Sequence, residues 1–309
     1  MSTIKKYLWG VLYGTLLTAF TIYVLMDTFV IARVYQTAPA PDEAVTDEDR
    51  HEAASSDDAA KENHTAVITA YSYEDRDISI TMTEYRENDT TIYVADVQLS
   101  SVGYMKTALA NGVYGKNVTE KTSEMAEKNR AILAINGDYY GSREKGYVLR
   151  NGVLYRITAS SGQEDLVIYQ DGSFEIVAET SISAEQLLAN GAEQIFSFGP
   201  ALVMDGRVSV TESEEVGKAK TSNPRTAIGI VEEGHYLFVV SDGRTDESAG
   251  LSLHDLAEFM QSIGAKTAYN LDGGGSSTMY FNGEIVNNPT TNGRSIQERS
   301  VSDIVYIGY

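Results

Sequence analysis

Residues 268–281 read AYNLDGGGSSTMYF, and this stretch indicates how the chain folds. An apolar strand runs to Leu271, three glycines follow Asp272, and 278–281 again has the composition of a strand. A P-loop would need Gly-Lys-Ser or Gly-Lys-Thr at the end of the glycine run, and neither is present. The stretch therefore predicts two strands joined by a glycine-rich loop that approaches a ligand closely.

Further strands are expected on the N-terminal side of this loop. Alternating β-branched and aromatic residues recur there, and several such runs are paired around Asn-Gly, Asp-Gly or Glu-Gly turns. Pairing across short turns makes neighbouring strands antiparallel. The predicted strands and hairpins are 66–73, 77–83, 91–99, 147–155, 166–177 and 226–241.

Helices are fewer, and two of them begin at capping boxes. Ser252 opens a run of apolar residues at helical spacing, and Ser183 opens a shorter one. A third helix is expected at about 119–129. No period of 20 to 50 residues recurs, which argues against a solenoid or propeller. The pattern predicts an α+β fold of mixed, largely antiparallel sheets with a few packed helices, in one domain covering 64–309.

The N-terminus predicts one transmembrane helix before this domain. Tyr7 to Met26 carries no formal charge, and its 20 residues span about 30 Å, the thickness of a bilayer core. Lys5 and Lys6 precede it, so the positive-inside rule places the N-terminus in the cytoplasm. A cleaved signal peptide is the alternative, although its apolar region would be shorter. We expect membrane contact through residues 7–31.

These features divide the chain into three parts. Residues 1–36 form the cytoplasmic N-terminus and the anchor, 37–63 form an acidic disordered tether, and 64–309 form the folded domain. The expected location is the cell membrane, with a single pass and the C-terminal domain outside the cell.

The composition limits the chemistry that this domain can perform. The formal net charge of -20 argues against nucleic acid as a partner. The absence of cysteine excludes disulfides and thiol nucleophiles, and four scattered histidines without HExxH spacing make catalytic zinc improbable. An anionic substrate would need a local basic pocket.

Four polar clusters, each beside an apolar strand, provide the candidate site. They contain three carboxylates, two guanidinium groups and the glycine loop. Pairs of carboxylates serve glycoside cleavage, whereas arginine forks match phosphate oxygens, so a sugar attached to phosphate would use both. The candidate residues are Asn136, Asp138, Arg225, Thr226, Asp242, Arg244, Asp272, Gly273, Gly274, Gly275 and Ser276.

The clusters also resemble the phosphodiester glycosidase family, the NAGPA-type domain of the lysosomal uncovering enzyme and its bacterial relatives. Five motifs occur in the family's order. They are Ala134 to Tyr140 (AINGDYY), Ser197 to Val203 (SFGPALV), Asn223 to Gly229 (NPRTAIG), Asp242 to Arg244 (DGR) and Asn270 to Ser277 (NLDGGGSS). The resemblance implies an α+β fold and hydrolysis of a sugar-1-phosphodiester, and bacterial members are commonly described as exopolysaccharide-related.

The resemblance and the residue types together suggest roles. Arg225 and Arg244, with the amides of 273–275, would hold the phosphate. Asp272 is the preferred nucleophile or base, and Asp242 and Asp138 are further catalytic candidates. Asn136 would orient a sugar hydroxyl or the attacking water. Thr226 and Ser276 belong to the same binding motifs.

Two alternatives remain open at this point. A binding module for an anionic glycan would need the arginines without the carboxylates. A metal-assisted phosphodiesterase would use Asp138, Asp242 and Asp272 to hold Mg²⁺ or Ca²⁺. The expected cofactor is none, with a divalent cation as the alternative.

Overall fold

The computed structural model describes residues 3–39, 66–211 and 222–309. Its α-helices are α1 (Thr3–Phe29), α2 (Thr122–Lys128), α3 (Ala184–Ala189) and α4 (Leu253–Ser262). Its strands are β1 (Arg33–Thr37), β2 (Val67–Ile68), β3 (Ser72–Glu74), β4 (Ile78–Glu87), β5 (Thr90–Leu99), β6 (Met105–Leu109), β7 (Val113–Lys116), β8 (Glu120–Lys121), β9 (Leu133–Asn136), β10 (Val148–Arg150), β11 (Val153–Arg156), β12 (Glu164–Tyr169), β13 (Phe174–Ala178), β14 (Ala192–Phe196), β15 (Ala201–Met204), β16 (Arg207–Val208), β17 (Arg225–Glu232), β18 (His235–Ser241), β19 (Thr267–Asn270), β20 (Met279–Phe281), β21 (Glu284–Ile285), β22 (Ser300–Val301) and β23 (Asp303–Ile307).

Antiparallel pairing dominates the sheets, as the hairpin spacing predicts. The largest sheet has nine strands in the order β16-β15-β19-β17-β18-β5-β4-β3-β2. A second sheet has the order β21-β20-β9-β23-β6, and a third has the order β11-β10-β14-β12-β13. Two further pairs are β1-β7 and β22-β8. The predicted α+β class with largely antiparallel sheets is confirmed.

The core lies between the nine-stranded sheet and the second sheet. Ile228 and Phe238 from the first pack in one apolar cluster with Ile135 and Val305 from the second. Helix α4 covers the opposite face of the nine-stranded sheet, where Met260 lies in a second cluster. Strand β17 is therefore covered on both faces, and its residues from 225 to 230 are buried.

The helix starts agree with the sequence. The side chains of Ser183 and Ser252 each accept a hydrogen bond from the backbone N–H three residues later. In turn, the side chains of Gln186 and Asp255 each accept a hydrogen bond from the backbone N–H of the capping serine. Reciprocal capping satisfies N–H groups that the first helical turn leaves without a partner. The run at 66–73 departs from its prediction, because it forms two short strands, β2 and β3, that pair with each other.

Helix α1 is long and apolar enough to cross a membrane. Its apolar segment, Tyr7–Phe29, has a mean hydropathy of 1.7 and is not buried against the domain. Strand β1, which the sequence analysis does not predict, follows it and pairs with β7. The Asn117 side chain donates hydrogen bonds to the backbone carbonyls of Thr28 and Ile31. The end of α1 is thus tied to the folded domain, whereas 40–63 of the predicted tether lies outside the described residues.

Candidate functional site

Strand pairing brings the four sequence clusters to one edge of the sheets. Strand β17 begins at Arg225, whose partner in register is Ser241 at the end of β18. Strand β19 ends at Asn270, which is the partner of Ala227. The loop after β19 then crosses to the second sheet, where β20 pairs with the end of β9. The glycine-rich loop therefore joins the two sheets at the point where all four clusters meet.

Asn136 holds this junction together. Its Nδ2 donates to the carbonyl oxygen of Asp272 at 2.6 Å and to that of Gly137 at 3.2 Å. Its Oδ1 accepts from Thr226 Oγ1 at 2.8 Å and from the Thr278 N–H at 3.3 Å. These four bonds use both donors and both acceptor sites of the amide. Asn136 and Thr226 are fully buried, so the structure places them beneath the loop rather than on its exposed surface.

Other side chains approach the backbone of the loop so closely that Gly274 and Gly275 leave no room for a Cβ atom. Gly274 has φ +63, and a Cβ there would lie 2.9 Å from Nη2 of Arg244. A Cβ on Gly275 would lie 2.4 Å from Oγ1 of Thr291. The N–H of Gly274 donates to the Pro224 carbonyl at 2.7 Å. This amide, which the sequence analysis assigns to phosphate together with those of its neighbours, is engaged within the protein.

The two arginines expected at the phosphate lie in different environments. Arg225 is 9% exposed, and its Nε donates to the Leu251 carbonyl at 2.9 Å. Its Cδ would lie 3.8 Å from a Cβ on Gly273, which puts it directly under the loop. Arg244 is exposed. Its guanidinium donates to the Thr291 carbonyl at 2.6 Å and from Nε and Nη2 to Asn223 Oδ1 at 3.2 and 2.9 Å.

A third arginine, Arg299, is absent from the sequence prediction. Its Nη1 lies 3.5 Å from Oγ of Ser276, and its Nε would lie 3.1 Å from a Cβ on Gly275. The side chain is exposed. Arg299 directly precedes β22, just as Arg225 begins β17, so an arginine at a strand entrance was the available sequence signal.

Of the three predicted carboxylates, Asp272 alone is more than a few per cent exposed. Burial raises the pKa of Asp272, while the Ser276 hydroxyl and the Arg299 cation act in the opposite direction. A carboxylate that is partly desolvated, yet hydrogen-bonded and close to a cation, suits a nucleophile or a base.

Asp242 is hydrogen-bonded to the loop that follows β21. It is 4% exposed, and its Oδ1 accepts from the Asn288 N–H at 2.8 Å and from Asn287 Nδ2 at 3.3 Å. Its Oδ2 accepts from Asn288 Nδ2 at 3.0 Å and from the Tyr93 hydroxyl at 3.4 Å. The carboxylate thereby fixes the position of residues 287–288 beside the site.

Asp138 belongs to a buried charge network that the sequence does not reveal. It is 2% exposed, and it accepts hydrogen bonds from the N–H groups of Tyr140 and Ser197, each at 3.0 Å. Nη2 of Arg150 lies 2.8 Å from Asp138 Oδ2, and Nε of Arg150 lies 2.8 Å from Asp303 Oδ2. Burial raises the pKa of Asp303 to about 7 despite the neighbouring arginine. Asp138 therefore lies in the interior, in contact with Arg150.

The oxygens of the three predicted carboxylates do not all lie within 4.8 Å of one another. Among residues 3–39, 66–211 and 222–309, the only group of three or more potential ligands whose atoms all lie within 4.8 Å of one another is His254, Asp255 and Glu258. This group lies on α4, outside the four clusters.

Comparison with known proteins shows the family of the chain. The family model for phosphodiester glycosidases matches residues 129–308, which cover more than half of the chain and all four clusters. The chain belongs to the phosphodiester glycosidase family.

Individual relatives are similar over part of the chain. The SPbeta prophage-derived uncharacterized protein YomE of Bacillus subtilis (strain 168) is 30% identical over 201 residues, which are 63% of this chain and 31% of YomE. The N-acetylglucosamine-1-phosphodiester alpha-N-acetylglucosaminidase of Mus musculus is 30% identical over 176 residues, which are 51% of this chain and 33% of the mouse protein. The chain thus spans about a third of the length of these relatives.

Solved structures show the same fold at low sequence identity. The zebrafish N-acetylglucosamine-1-phosphodiester alpha-N-acetylglucosaminidase catalytic domain, auto-inhibited by its pro-peptide, has a TM-score of 0.59 and 20% identity, covering 75% of this chain and 83% of that domain. A hypothetical protein from Synechocystis has a TM-score of 0.54 and 14% identity, covering 75% of this chain and 62% of the other.

Proposed function

We propose that this protein is a membrane-anchored extracellular hydrolase that cleaves the sugar–phosphate bond of a sugar-1-phosphodiester in a cell-envelope or exopolysaccharide polymer. An N-acetylglucosamine-1-phosphodiester is the model substrate, because relatives named for acting on it share the family. The observation that carries the proposal is the partly exposed carboxylate of Asp272 beside a glycine loop flanked by the guanidinium groups of Arg244 and Arg299.

The arginines and Asp272 take different roles in the reaction because their charges differ. The anomeric carbon–oxygen bond breaks, the phosphate oxygen leaves with the electron pair, and water supplies the new hydroxyl of the sugar. Arginine stabilises the leaving phosphate electrostatically, so strong general-acid assistance is less important than in ordinary glycoside cleavage. Asp272 acts at the anomeric centre as nucleophile or as the base for water.

The buried residues of the site position these groups. Asn136 and Thr226 fix the backbone of Asp272, and Arg225 supports the loop from below. Asp242 fixes 287–288, and Asp138 joins the Arg150 network. In this assignment, Asp242 and Asp138 do not touch the substrate, because their oxygens are occupied by protein donors and are almost inaccessible.

The location of the bond cleavage provides the decisive test. Full-length protein in detergent would be incubated with sugar-1-phosphodiesters in H₂¹⁸O, and the products would be identified by mass spectrometry. Cleavage at the anomeric carbon places ¹⁸O in the sugar, whereas attack at phosphorus places it in the phosphate. Label in the phosphate would overturn the proposal in favour of a phosphodiesterase.

A non-catalytic glycan-binding module is the second candidate. It is favoured by one observation, namely that two of the three predicted carboxylates are buried and committed to protein donors. A binding module would retain the substrate without turnover in the wild-type protein. Turnover that disappears in Asp272→Asn but persists in the matched control Asp246→Asn, an exposed carboxylate in the loop after Arg244, would exclude it.

The proposed membrane placement rests on α1 and the lysines before it. Added protease should release the folded domain from intact cells by cutting within 37–63. Full protection of the domain, together with cleavage after the cells are permeabilised, would reverse the orientation.

A further inference from the structure

We propose that Arg299 and Arg244 form an anion clamp over Gly274 and Gly275 that binds the phosphate group of the substrate, with Arg225 as a positioning residue beneath the loop. This inference rests on the proposed function, since it names the residues that bind the substrate's phosphate. It differs from the sequence analysis, which pairs Arg244 with Arg225.

The two guanidinium groups flank neighbouring residues of one loop. Nη2 of Arg244 would lie 2.9 Å from a Cβ on Gly274, and Nε of Arg299 would lie 3.1 Å from a Cβ on Gly275. Consecutive Cα atoms are about 3.8 Å apart, so both groups lie over the same short piece of backbone. The absence of side chains on these glycines is what allows the guanidinium groups to approach the loop backbone this closely.

Among the described residues, neither Arg244 nor Arg299 forms a salt bridge. Within the part of the chain that the structure describes, no carboxylate oxygen lies within 4.0 Å of a guanidinium nitrogen of Arg244 or Arg299. The protein has 44 acidic residues against 24 basic ones, so unpaired arginines at one site are unexpected. Repulsion between the two cations is relieved when an anion binds between them.

Protein acceptors hold both side chains over the loop. Arg244 is fixed by Asn223 Oδ1 and by the Thr291 carbonyl, and it adopts a left-handed backbone conformation with φ +66. Arg299 contacts the Ser276 hydroxyl, and both this hydroxyl and the Arg299 cation act to lower the pKa of Asp272. The Arg299 cation is therefore coupled to the carboxylate proposed to act at the anomeric centre.

The burial of Arg225 explains the altered pairing. Its Nε is bound to the Leu251 carbonyl, and the side chain is covered by the Gly273 backbone. A guanidinium in that position supports the loop and contributes positive potential, but it presents little surface to a substrate. Arg299, which is exposed, replaces it as the second contact.

The clamp can be tested with inorganic phosphate as the probe. Isothermal titration of full-length protein in detergent would measure phosphate binding for the wild type and for Arg244→Ala, Arg299→Ala and Arg294→Ala. Arg294 is an exposed arginine of the same 287–299 segment and serves as the matched control. We expect each clamp substitution to weaken binding at least tenfold and Arg294→Ala to change it less than twofold. Equal weakening in Arg294→Ala, or normal binding in Arg299→Ala, would overturn the clamp.

The pH profile of the hydrolysis rate tests the coupling between Arg299 and Asp272, which a purely structural role of Arg299 would not produce. Loss of the Arg299 cation should raise the pKa of Asp272, so the acidic limb of the rate profile should move to higher pH in Arg299→Ala and return toward the wild-type position in Arg299→Lys. An unmoved limb would contradict the coupling. Phosphate binding without any hydrolysis would refute the proposed function while leaving the clamp intact, whereas hydrolysis with unaltered phosphate binding in both clamp variants would do the reverse.

Discussion

Replacing Arg150 by methionine should destabilise the fold strongly and in a pH-dependent manner. The Arg150 side chain is 1% exposed and lies between the carboxylates of Asp138 and Asp303. It also donates to the carbonyls of Leu149 and Ile195 and lies over the Phe196 ring, 4.3 Å from its centroid. Methionine fills part of this volume, but it removes the positive charge. Among the described residues, Arg150 is the only cation that pairs with Asp138 and Asp303.

The magnitude follows from leaving two buried carboxylates without their cation. Removing one partner of a buried ion pair typically costs about 3–5 kcal/mol of unfolding free energy. In the variant, Asp303 loses the arginine that opposes its desolvation, so the pKa of this buried carboxyl rises further above its unfolded value. Its contribution to stability is then greatest at low pH and is lost as the pH rises through this folded pKa. The deficit relative to wild type should thus be larger at pH 8 than at pH 5.

The assay is urea unfolding at both pH values, followed by circular dichroism of full-length protein in detergent. The triple variant Arg150→Met, Asp138→Asn, Asp303→Asn removes the carboxylate charges and should recover much of the loss at pH 8. Arg207→Met, at an exposed arginine on β16, is the matched control and should change stability by less than about 0.5 kcal/mol. A deficit below about 1 kcal/mol, or one that is equal at both pH values, would refute the reasoning.

Three further outcomes are expected. Asp272→Asn should retain binding of a sugar-1-phosphodiester but lose several orders of magnitude in turnover, and near-normal turnover would move the chemistry to another group. Arg225→Ala should lower kcat/KM by up to about 100-fold in steady-state kinetics, because Arg225 supports the loop that carries Asp272 and a displaced loop misplaces this carboxylate, and unchanged kinetics would remove Arg225 from the site. Burial and the neighbouring Glu179 raise the pKa of Asp165 to about 9, so its bound proton stabilises the fold fully at acidic pH and progressively less as the pH rises toward 9. Asp165→Asn should accordingly lose less Tm than wild type between pH 6 and pH 9, and parallel losses would contradict this account.

Local sequence determined the elements that depend on near neighbours. The capping boxes at Ser183 and Ser252 start helices where expected, since the bonds that form them join residues three positions apart. The hairpin at 226–241 follows for the same reason, because a turn at Glu233-Gly234 sets its register. The polar clusters were also recognisable, since each adjoins an apolar run that predicts a strand.

Tertiary structure decided which of these polar groups can reach a substrate. Asp138, Asp242 and Asp272 look equivalent in sequence. In the fold, however, Asp138 and Asp242 are buried and accept hydrogen bonds from residues that are distant in sequence. Strand β1 was equally unforeseen, because its partner is about 80 positions further along the chain.

The groups that sequence missed depend on distant pairing in the same way. Arg150 meets Asp303 across 153 positions, and Arg299 reaches Ser276 across 23. Burial and charge pairing depend on which strands become neighbours, and one-dimensional periodicity carries no information about that choice. The sequence by itself therefore determined the hairpins, the capped helices and the types of polar residue available, while the packing of the sheets decided that Asp272 is partly exposed and that Arg244 and Arg299 are exposed at the glycine-rich loop.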